Sequence, residues 1–212
     1  MADTPQDALR THQLMFGRQY EIYNEISKQL LALGEQSTVA MENKLVDFYK
    51  KNYDLVGTQN GFFPVEIDKG LIKNIVNAVW VKQDGKTWSQ RVWDNLENLQ
   101  TSMGKILTDA MVSGLSTDKV TEMIMSDMNV GYSQASRLAR TELSHVRVQS
   151  TIDRYKEAGV TKYQYIANGA NMCEECEELN GKVFDIDDVE APIPPVHPNC
   201  VCSILAVLDE ER

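Results

Sequence analysis

Hydrophobic and polar positions recur with the period of an α-helix through the first three quarters of the chain. The first predicted helix runs from about Pro5 to Leu33, with Thr4 as a candidate N-cap. Its apolar seam consists of Phe16, Tyr20, Tyr23 and Leu30. Gly34 is expected to end this helix. A second segment before the break at Gly57 to Pro64 carries the apolar positions Met41, Leu45, Phe48 and Tyr49.

Four further helices follow from the same period. Asp68 is expected to cap one that bears Leu71, Ile72, Ile75, Val76 and Val79. Thr87 to Gln90 matches a capping box, and the helix after it should end at Gly114. The seam of that helix is Trp88, Val92, Leu96, Leu99, Met103, Ile106 and Ala110. A shorter helix bears Val120, Ile124 and Met128. A long helix from about Ser133 to Ala158, ended by Gly159, is the last one.

After Gly159 the period changes to the alternation of β-strands. Strands are predicted at Tyr163 to Ile166, at Gly181 to Phe184 and at Cys200 to Leu208. The predicted fold class is therefore α+β and mainly α. A helical region at residues 1–131 precedes a domain at residues 132–212, which combines the long helix with a small α+β unit.

Composition and charge limit the class of protein. The chain has 212 residues, 42% of them hydrophobic, which is enough for a proper core. Its start lacks the features of a leader and no apolar run is long enough to cross a bilayer, so we expect a cytoplasmic protein without a membrane partner. Tyr163 to Arg212 contains eleven acidic and two basic residues, close to the whole net charge of −10. Such an acidic segment is not expected to bind nucleic acid strongly.

The cysteines suggest a metal site. All four lie near the end of the chain, at Cys173, Cys176, Cys200 and Cys202. Two sulfur pairs about twenty residues apart are typical of a structural zinc site, and disulfides are disfavoured in a reducing compartment. If residues 200–202 are a strand, its alternation puts Cys200 and Cys202 on one face. His197 is the alternative ligand, or else orders the turn behind the ligands; buried free thiols are the other alternative.

The residues offer little support for an enzyme. A sulfur-rich tetrahedral zinc site is closed, whereas hydrolysis needs an open position for water. The chain has three histidines, and no catalytic triad order or phosphate-binding loop stands out. A metal-dependent nuclease built on His197 would have to draw a polyanion into an acidic domain. A zinc-bearing regulatory module that binds protein partners in the host fits the residues nearly as well as the interpretation that follows.

Several motifs resemble the Mu F-like family of tailed-phage head morphogenesis proteins. The C-terminal ones are Arg140-Thr141-Glu142, Glu157-Ala158-Gly159-Val160, Cys173 to Phe184 and His197-Pro198-Asn199-Cys200-Val201-Cys202. Upstream, Gly85 to Trp93 and Gly114-Leu115-Ser116 are also similar to that family. Two positions differ from its usual pattern. Asn171-Met172 replaces an Asp-x-Arg element, and Val201 replaces an Arg.

The resemblance implies a minor capsid protein without enzymatic activity. It implies association with the portal inside the head, contacts with coat or scaffold proteins, and a part in DNA delivery. The protein would be made in host cytoplasm and end in the virion. Some members of the family carry a toxin domain after this unit, but this chain stops ten residues after Cys202, so no fused enzyme is expected.

Two groups of residues keep more than one interpretation. Arg140-Thr141-Glu142 could mark a functional site, or its charges could face water or pair with the acidic end of the chain. Arg137, Arg147 and Arg154 add to the basic character of the same predicted helix. We expect that helix to meet the acidic residues after Gly159. The three tryptophans are interpreted as core or interface anchors, at Trp80, Trp88 and Trp93.

Overall fold

The protein is mainly helical with one small sheet. The computed structural model describes residues 5–81, 84–169 and 172–208, without the side chains of residues 5–16, 18, 19, 111 and 117. The helices are α1 (Pro5–Gln59), α2 (Lys69–Val76), α3 (Trp88–Ser113), α4 (Thr117–Glu157) and α5 (Glu174–Leu179). The strands are β1 (Lys162–Ile166), β2 (Val183–Asp185) and β3 (Ser203–Val207). In the described part of the chain, no helix combines the length and the apolar character needed to cross a bilayer.

The chain forms two compact units. The first comprises Met1–Thr38 with Gln90–Ala135, and the second comprises Val39–Ser89 with Ser136–Arg212. Helices α1 and α4 each supply residues to both units. The predicted boundary between residues 131 and 132 falls inside α4. The predicted boundary between residues 131 and 132 concerns the domain of the family and stays a prediction. The two structural units are divided at other residues.

Helix α1 does not end at Gly34, so that prediction was wrong. Gly34 is buried in the middle of an uninterrupted helix of 55 residues. A Cβ atom there would lie 2.4 Å from Cζ3 of Trp93 and 2.8 Å from Cδ1 of Leu96. The glycine therefore serves close packing of an indole ring, although it costs about 1 kcal/mol of helix propensity relative to alanine. Thr4 and the side chain of Phe16, both named in the prediction, lie outside the described residues.

The two helices predicted around Gly131 are one helix. Helix α4 runs through Thr117–Glu157 without a break, because a single glycine lowers helix propensity without removing a hydrogen bond. It ends where predicted. Gly159 has φ of +76°, and the N–H of Val160 donates to the carbonyl of Tyr155 over 3.0 Å, as in a Schellman motif. Gly114, with φ of +61°, follows the end of α3 in the same way.

Helix α2 begins at its predicted cap. The side chain of Asp68 accepts a hydrogen bond from the backbone N–H of Leu71 over 3.0 Å. Ile72 and Val76 are buried, as the apolar spacing predicts. The helix is shorter than expected, because it ends at Val76, and Val79 beyond it is half exposed.

The three strands form an antiparallel sheet in the order β2-β1-β3. The predicted first strand is confirmed. The third begins at Ser203 rather than at Cys200, so Cys200 and Cys202 lie in an irregular loop. The alternation argument for placing both sulfurs on one face was therefore wrong, although both cysteines are only 2% exposed.

Two cores lie in the second unit and meet the sheet at neighbouring positions of β1. The apolar core contains Val56, Val148, Ile152, Tyr155, Val160, Tyr163, Ile186 and Ile204. The cysteine core contains Tyr165, Cys176, Cys200 and Cys202, with Cys173 packed against it. Tyr163 and Tyr165 point to the same face of the strand because they are two residues apart. Each is fully buried, one in each core.

Arg154 of α4 does not act as the charge pattern predicts. Arg154 is 2% exposed, and its guanidinium lies 5.3 Å from the ring centroids of both Tyr53 and Phe62. It donates a hydrogen bond to the carbonyl of Phe63 rather than meeting an acidic residue of the C-terminal segment. A Cβ atom on Gly57 would lie 2.7 Å from Nε of Arg154, so the side chain passes directly over that backbone. Arg140 is exposed.

Candidate metal centre

The first pair of cysteines is positioned by the short helix α5. Cys173 is its N-cap, and its sulfur accepts a hydrogen bond from the backbone N–H of Cys176 over 3.4 Å. An N-cap side chain curls over the first turn of its helix, which brings it beside the residue three positions later. The Cys-x-x-Cys spacing therefore holds both sulfurs at the same helix end.

The second group of donors lies in the loop before β3. The N–H of Cys200 donates to the carbonyl of His197 over 3.2 Å, which closes a tight turn. Asn199 within this turn has φ of +61°, a left-handed conformation that asparagine tolerates better than most residues. The turn directs the histidine and the cysteines towards the first pair.

The five predicted donors come together as two overlapping groups. In each group the donor atoms all lie within 4.8 Å of one another; the groups are Cys173, Cys176 and His197, and Cys176, Cys200 and Cys202. The sulfurs of Cys176 and Cys200 are 3.8 Å apart. Tetrahedral zinc with Zn–S bonds of about 2.3 Å requires sulfurs about 3.8 Å apart. Cys176 belongs to both groups, so it is the donor common to them.

The orientation of His197 matches that of a metal ligand. Its Nε2 lies 3.1 Å from the sulfur of Cys173 and 3.1 Å from that of Cys176. Its Nδ1 lies 2.9 Å from the carbonyl oxygen of Pro198. Because a carbonyl only accepts, Nδ1 is the donor in this pair, which leaves Nε2 as the nitrogen that can offer a lone pair. That lone pair faces the two sulfurs.

The surroundings of the sulfurs influence their protonation. Burial raises the pKa of Cys176, and its cysteine neighbours raise it further. Burial also opposes ionisation of Cys202, but hydrogen bonds from the backbone of Asn168 and from Tyr165 outweigh it and lower its pKa. Tyr165 is fully buried, and its hydroxyl lies 3.6 Å from the sulfur of Cys176. A cation would favour the thiolate form of every sulfur in the group.

The Arg140-Thr141-Glu142 motif divides into three different environments. Arg140 is exposed, whereas Thr141 and Glu142 are buried. The indole N–H of Trp80 donates to Glu142 over 2.8 Å, and the Trp80 ring stacks on His145 with centroids 4.3 Å apart. The hydroxyl of Thr141 accepts a hydrogen bond from the N–H of Asn199 over 3.0 Å. The two buried residues of the motif therefore have structural contacts. Glu142 binds the indole of Trp80, and Thr141 binds the loop that carries His197, Cys200 and Cys202.

Sequence reasoning located the donors but missed the residues that support them. Tyr165 could have been found, because strand alternation makes it a core position on the same strand face as Tyr163. Thr141 was noticed only as part of a motif. Arg147, which donates to the carbonyls of Val201 and Cys202 over 3.2 and 3.0 Å, had no distinguishing signal among the arginines of α4.

The cluster has the composition of a structural metal site. Thiolates and imidazole favour zinc or a softer ion over magnesium or calcium. Four such ligands close a structural zinc site, whereas a catalytic site has three protein ligands and an open fourth position. The described residues therefore contain a Cys/His group that can hold a metal ion.

Comparisons with known proteins agree with the motif resemblance. A curated relative is the NAD(+)--arginine ADP-ribosyltransferase EFV of Enterococcus faecalis, which is 26% identical over 180 residues. The match covers 76% of this chain and 36% of that protein. No solved structure matches the chain. Residues 101–205 match the family described as Phage Mu protein F like protein, so this part of the chain is a domain of that family, which supports the resemblance to Mu F-like head morphogenesis proteins.

Proposed function

We propose that this protein is a non-enzymatic minor component of the phage head that binds the portal during procapsid assembly. The observation that carries the proposal is the family match over residues 101–205. This range includes all of α4, all four cysteines and most of the sheet. The family belongs to the phage head, so the partners are other head proteins. Portal binding, location inside the head and a role in DNA delivery are the finer parts of the proposal.

Cross-linking within purified procapsids tests portal binding. Procapsids assembled with and without the portal protein should be compared for the copy number of this chain, and cross-linked peptides should be identified by mass spectrometry. We expect the chain to be lost from heads without portal and to cross-link to portal in complete procapsids. An unchanged copy number without portal, together with cross-links to coat protein alone, would contradict the proposal.

We further propose that the Cys/His group holds one structural zinc ion. The predicted four-sulfur set of Cys173, Cys176, Cys200 and Cys202 remains the starting hypothesis for its ligands. The contacts of His197 support a set in which Nε2 replaces one sulfur. Protein purified without chelators should contain one zinc ion per chain by elemental analysis. Four freely reactive thiols and no bound metal would exclude the zinc centre.

Single substitutions separate the alternative ligand sets. If His197 is a ligand, His197→Ala should weaken zinc binding as strongly as a cysteine substitution does. If it only orders the turn, the loss should resemble the roughly 10- to 100-fold effect of removing a group behind the ligands. Cys200→Ser and Cys202→Ser, measured in the same way, identify the donor that the metal does not need.

An enzymatic role is the second candidate because of the named activity of the E. faecalis relative. The chain spans little more than a third of that relative, so the transferase activity belongs to the longer protein. We propose that the present chain lacks it. Incubation with labelled NAD(+) and arginine-containing proteins should give no labelled product. Transfer of the label by the purified chain would overturn the proposal of a non-enzymatic protein.

The same preparations test two other classes of function. A host regulatory module would be recovered with host proteins and would be missing from purified procapsids. A metal-dependent nuclease would cleave DNA when supplied with zinc. Because the C-terminal segment is strongly acidic, we expect no tight salt-sensitive DNA binding by the full chain. The proposed zinc site, closed by sulfur ligands, also argues against nuclease chemistry.

A further inference from the structure

The loop that carries His197, Cys200 and Cys202 depends on contacts outside itself. Residues 197–202 contain no helix or strand, and Asn199 is in a left-handed conformation. The hydrogen bond between Cys200 and His197 closes the turn but does not fix where the turn lies. A metal site requires its ligands to be held within a few tenths of an ångström of their bonding positions. Neighbouring elements must therefore position this loop.

Helix α4 supplies the first of these contacts through Thr141. The Thr141 hydroxyl donates to the carbonyl of Arg137 over 2.8 Å and accepts from the N–H of Asn199 over 3.0 Å. Its donor and acceptor functions are both used, so the oxygen has a fixed direction. Thr141 is only 9% exposed, so the threonine side of the bond to Asn199 is shielded from water. The hydroxyl thus anchors the residue directly before Cys200.

Arg147 on the same helix supplies the second contact. Its Nη2 donates to the carbonyls of Val201 and Cys202 over 3.2 and 3.0 Å. A charged donor makes these bonds stronger than bonds between neutral groups. They act at the end of the loop, directly before β3. Thr141 and Arg147 thus hold the loop on the two sides of Cys200.

The first cysteine pair has a different support. Tyr165 of β1 lies behind Cys176, and helix α5 fixes the spacing of Cys173 and Cys176. Tyr165 also reaches Cys202 of the second set, whereas the described hydrogen bonds from α4 reach the second set alone. Loss of a contact to α4 should loosen the second set while leaving the first in place.

We infer that Thr141 and Arg147 are positioning residues of the metal centre, so that of the Arg-Thr-Glu segment only the threonine supports that centre. This inference rests on the proposed zinc site. Groups that orient metal ligands from behind typically change metal affinity by about 10- to 100-fold when removed. The buried threonine of the motif therefore acts through the geometry of the second set of donors.

Zinc affinity of the full-length protein tests the inference. Zinc should be titrated against a chelator of known affinity, and cobalt substituted for zinc should report the ligand geometry by absorption. We expect Arg147→Ala and Thr141→Val each to lower zinc affinity by about 10- to 100-fold and to alter the cobalt spectrum. Thr141→Ser, which keeps the hydroxyl, should restore both. Arg140→Ala removes an exposed charge from the same helix and should change neither.

The thermal unfolding of metal-free protein separates a positioning role from a general structural one. Metal-free Thr141→Val and Thr141→Ser should unfold at similar temperatures, while zinc should stabilise the serine variant more. Wild-type zinc affinity and an unchanged cobalt spectrum in both Arg147→Ala and Thr141→Val would overturn the inference. Wild-type protein that binds no zinc would instead overturn the metal centre itself, so the two failures are distinguishable.

Discussion

The apolar core and the cysteine core share a strand but are stabilised by different chemistry. The apolar core combines eight buried residues from α1, α4, the sheet and its flanking turns. The cysteine core has four buried residues, three of which are cysteines. Burial of a large aliphatic or aromatic side chain contributes roughly 1.5–3 kcal/mol, so the apolar core can hold its elements together by itself. The cysteine core buries too little apolar surface for that.

The difference indicates which part of the domain depends on a ligand. Residues around the apolar core should remain folded whether or not metal is bound. The α5 segment is one short helix and the loop before β3 has no regular structure, so in the proposed zinc site both would gain order from bonds to a common ion. Tyr163 and Tyr165 are two positions apart on β1, and each belongs to a different core. Tyr163 lies in the apolar core and Tyr165 in the cysteine core.

The largest effect is expected for Cys176→Ser. Cys176 belongs to both donor groups, so its loss should abolish zinc binding, beyond the roughly 100-fold effect of removing a supporting residue. Because metal-binding free energy is folding free energy at such sites, the segment from α5 to the start of β3 should lose its protection from hydrogen exchange. Elemental analysis and hydrogen exchange measure the two results.

Val201→Ser is the matched control for that variant. Val201 lies between Cys200 and Cys202, and its side chain is half exposed. It should keep one zinc per chain and wild-type exchange protection. If Cys176→Ser also kept one zinc per chain, the prediction that Cys176 is an essential ligand would be wrong.

Removal of the metal from wild-type protein should expose the cysteine core to hydrogen exchange and leave the apolar core protected. With a strong chelator present, backbone amides of α5 and of residues 197–202 should exchange rapidly. Amides around Val148, Ile152 and Tyr155 should stay protected, because their neighbours are apolar side chains. Readdition of zinc should reverse the change. Simultaneous loss of protection in both cores would show that they form a single cooperative unit.

Ile152→Ala is expected to weaken the apolar core without affecting the metal. Ile152 is 3% exposed, and truncation of such a side chain costs about 2–5 kcal/mol of unfolding free energy. Denaturant unfolding at saturating zinc should show this loss, with zinc stoichiometry unchanged. Leu143→Ala on the same helix is the control. Leu143 is 38% exposed, so its truncation should cost well under that amount.

The smallest expected effect is on the alkaline stability that Tyr163 contributes. Burial, with a contribution from the charge of Asp188, raises the pKa of Tyr163 to about 12, above the ordinary value of about 10. A raised pKa means that the folded state favours the neutral phenol. The resulting stability is complete below pH 10 and is lost as the pH rises towards 12.

Tyr163→Phe should therefore flatten the alkaline part of the stability curve. At neutral pH it loses only a long hydrogen bond of 3.3 Å to the carbonyl of Pro192, so the cost there should be about 1 kcal/mol or less. Denaturant unfolding between pH 8 and 12 measures both effects. An alkaline decline as steep as that of the wild type would assign it to other buried tyrosines, including Tyr53, whose pKa is also raised to about 12.

The sequence was most informative where a short pattern has a single structural meaning. The cap at Asp68 and the stop at Gly159 follow from local backbone chemistry, and both are confirmed. The Cys-x-x-Cys spacing correctly indicated that sulfur donors gather in one place. Such features require only a few neighbouring residues, so the sequence contains what determines them.

It was least informative where distant residues decide the outcome. Gly34 looked like a helix end, but the indole of Trp93 requires the missing side chain inside a continuous helix. The arginines of α4 looked like partners for acidic residues, yet Arg147 and Arg154 donate to carbonyl groups. Thr141 could not be linked to the metal loop, because Asn199 lies 58 residues away in the chain.

The passage of Arg154 over Gly57 has a consequence for evolution. The guanidinium occupies the space that any side chain at position 57 would need, and it lies between the rings of Tyr53 and Phe62. Positions 57 and 154 are therefore not free to diverge independently. Across homologous chains they should covary, with a larger residue at 57 found only where a shorter one has replaced the arginine at 154.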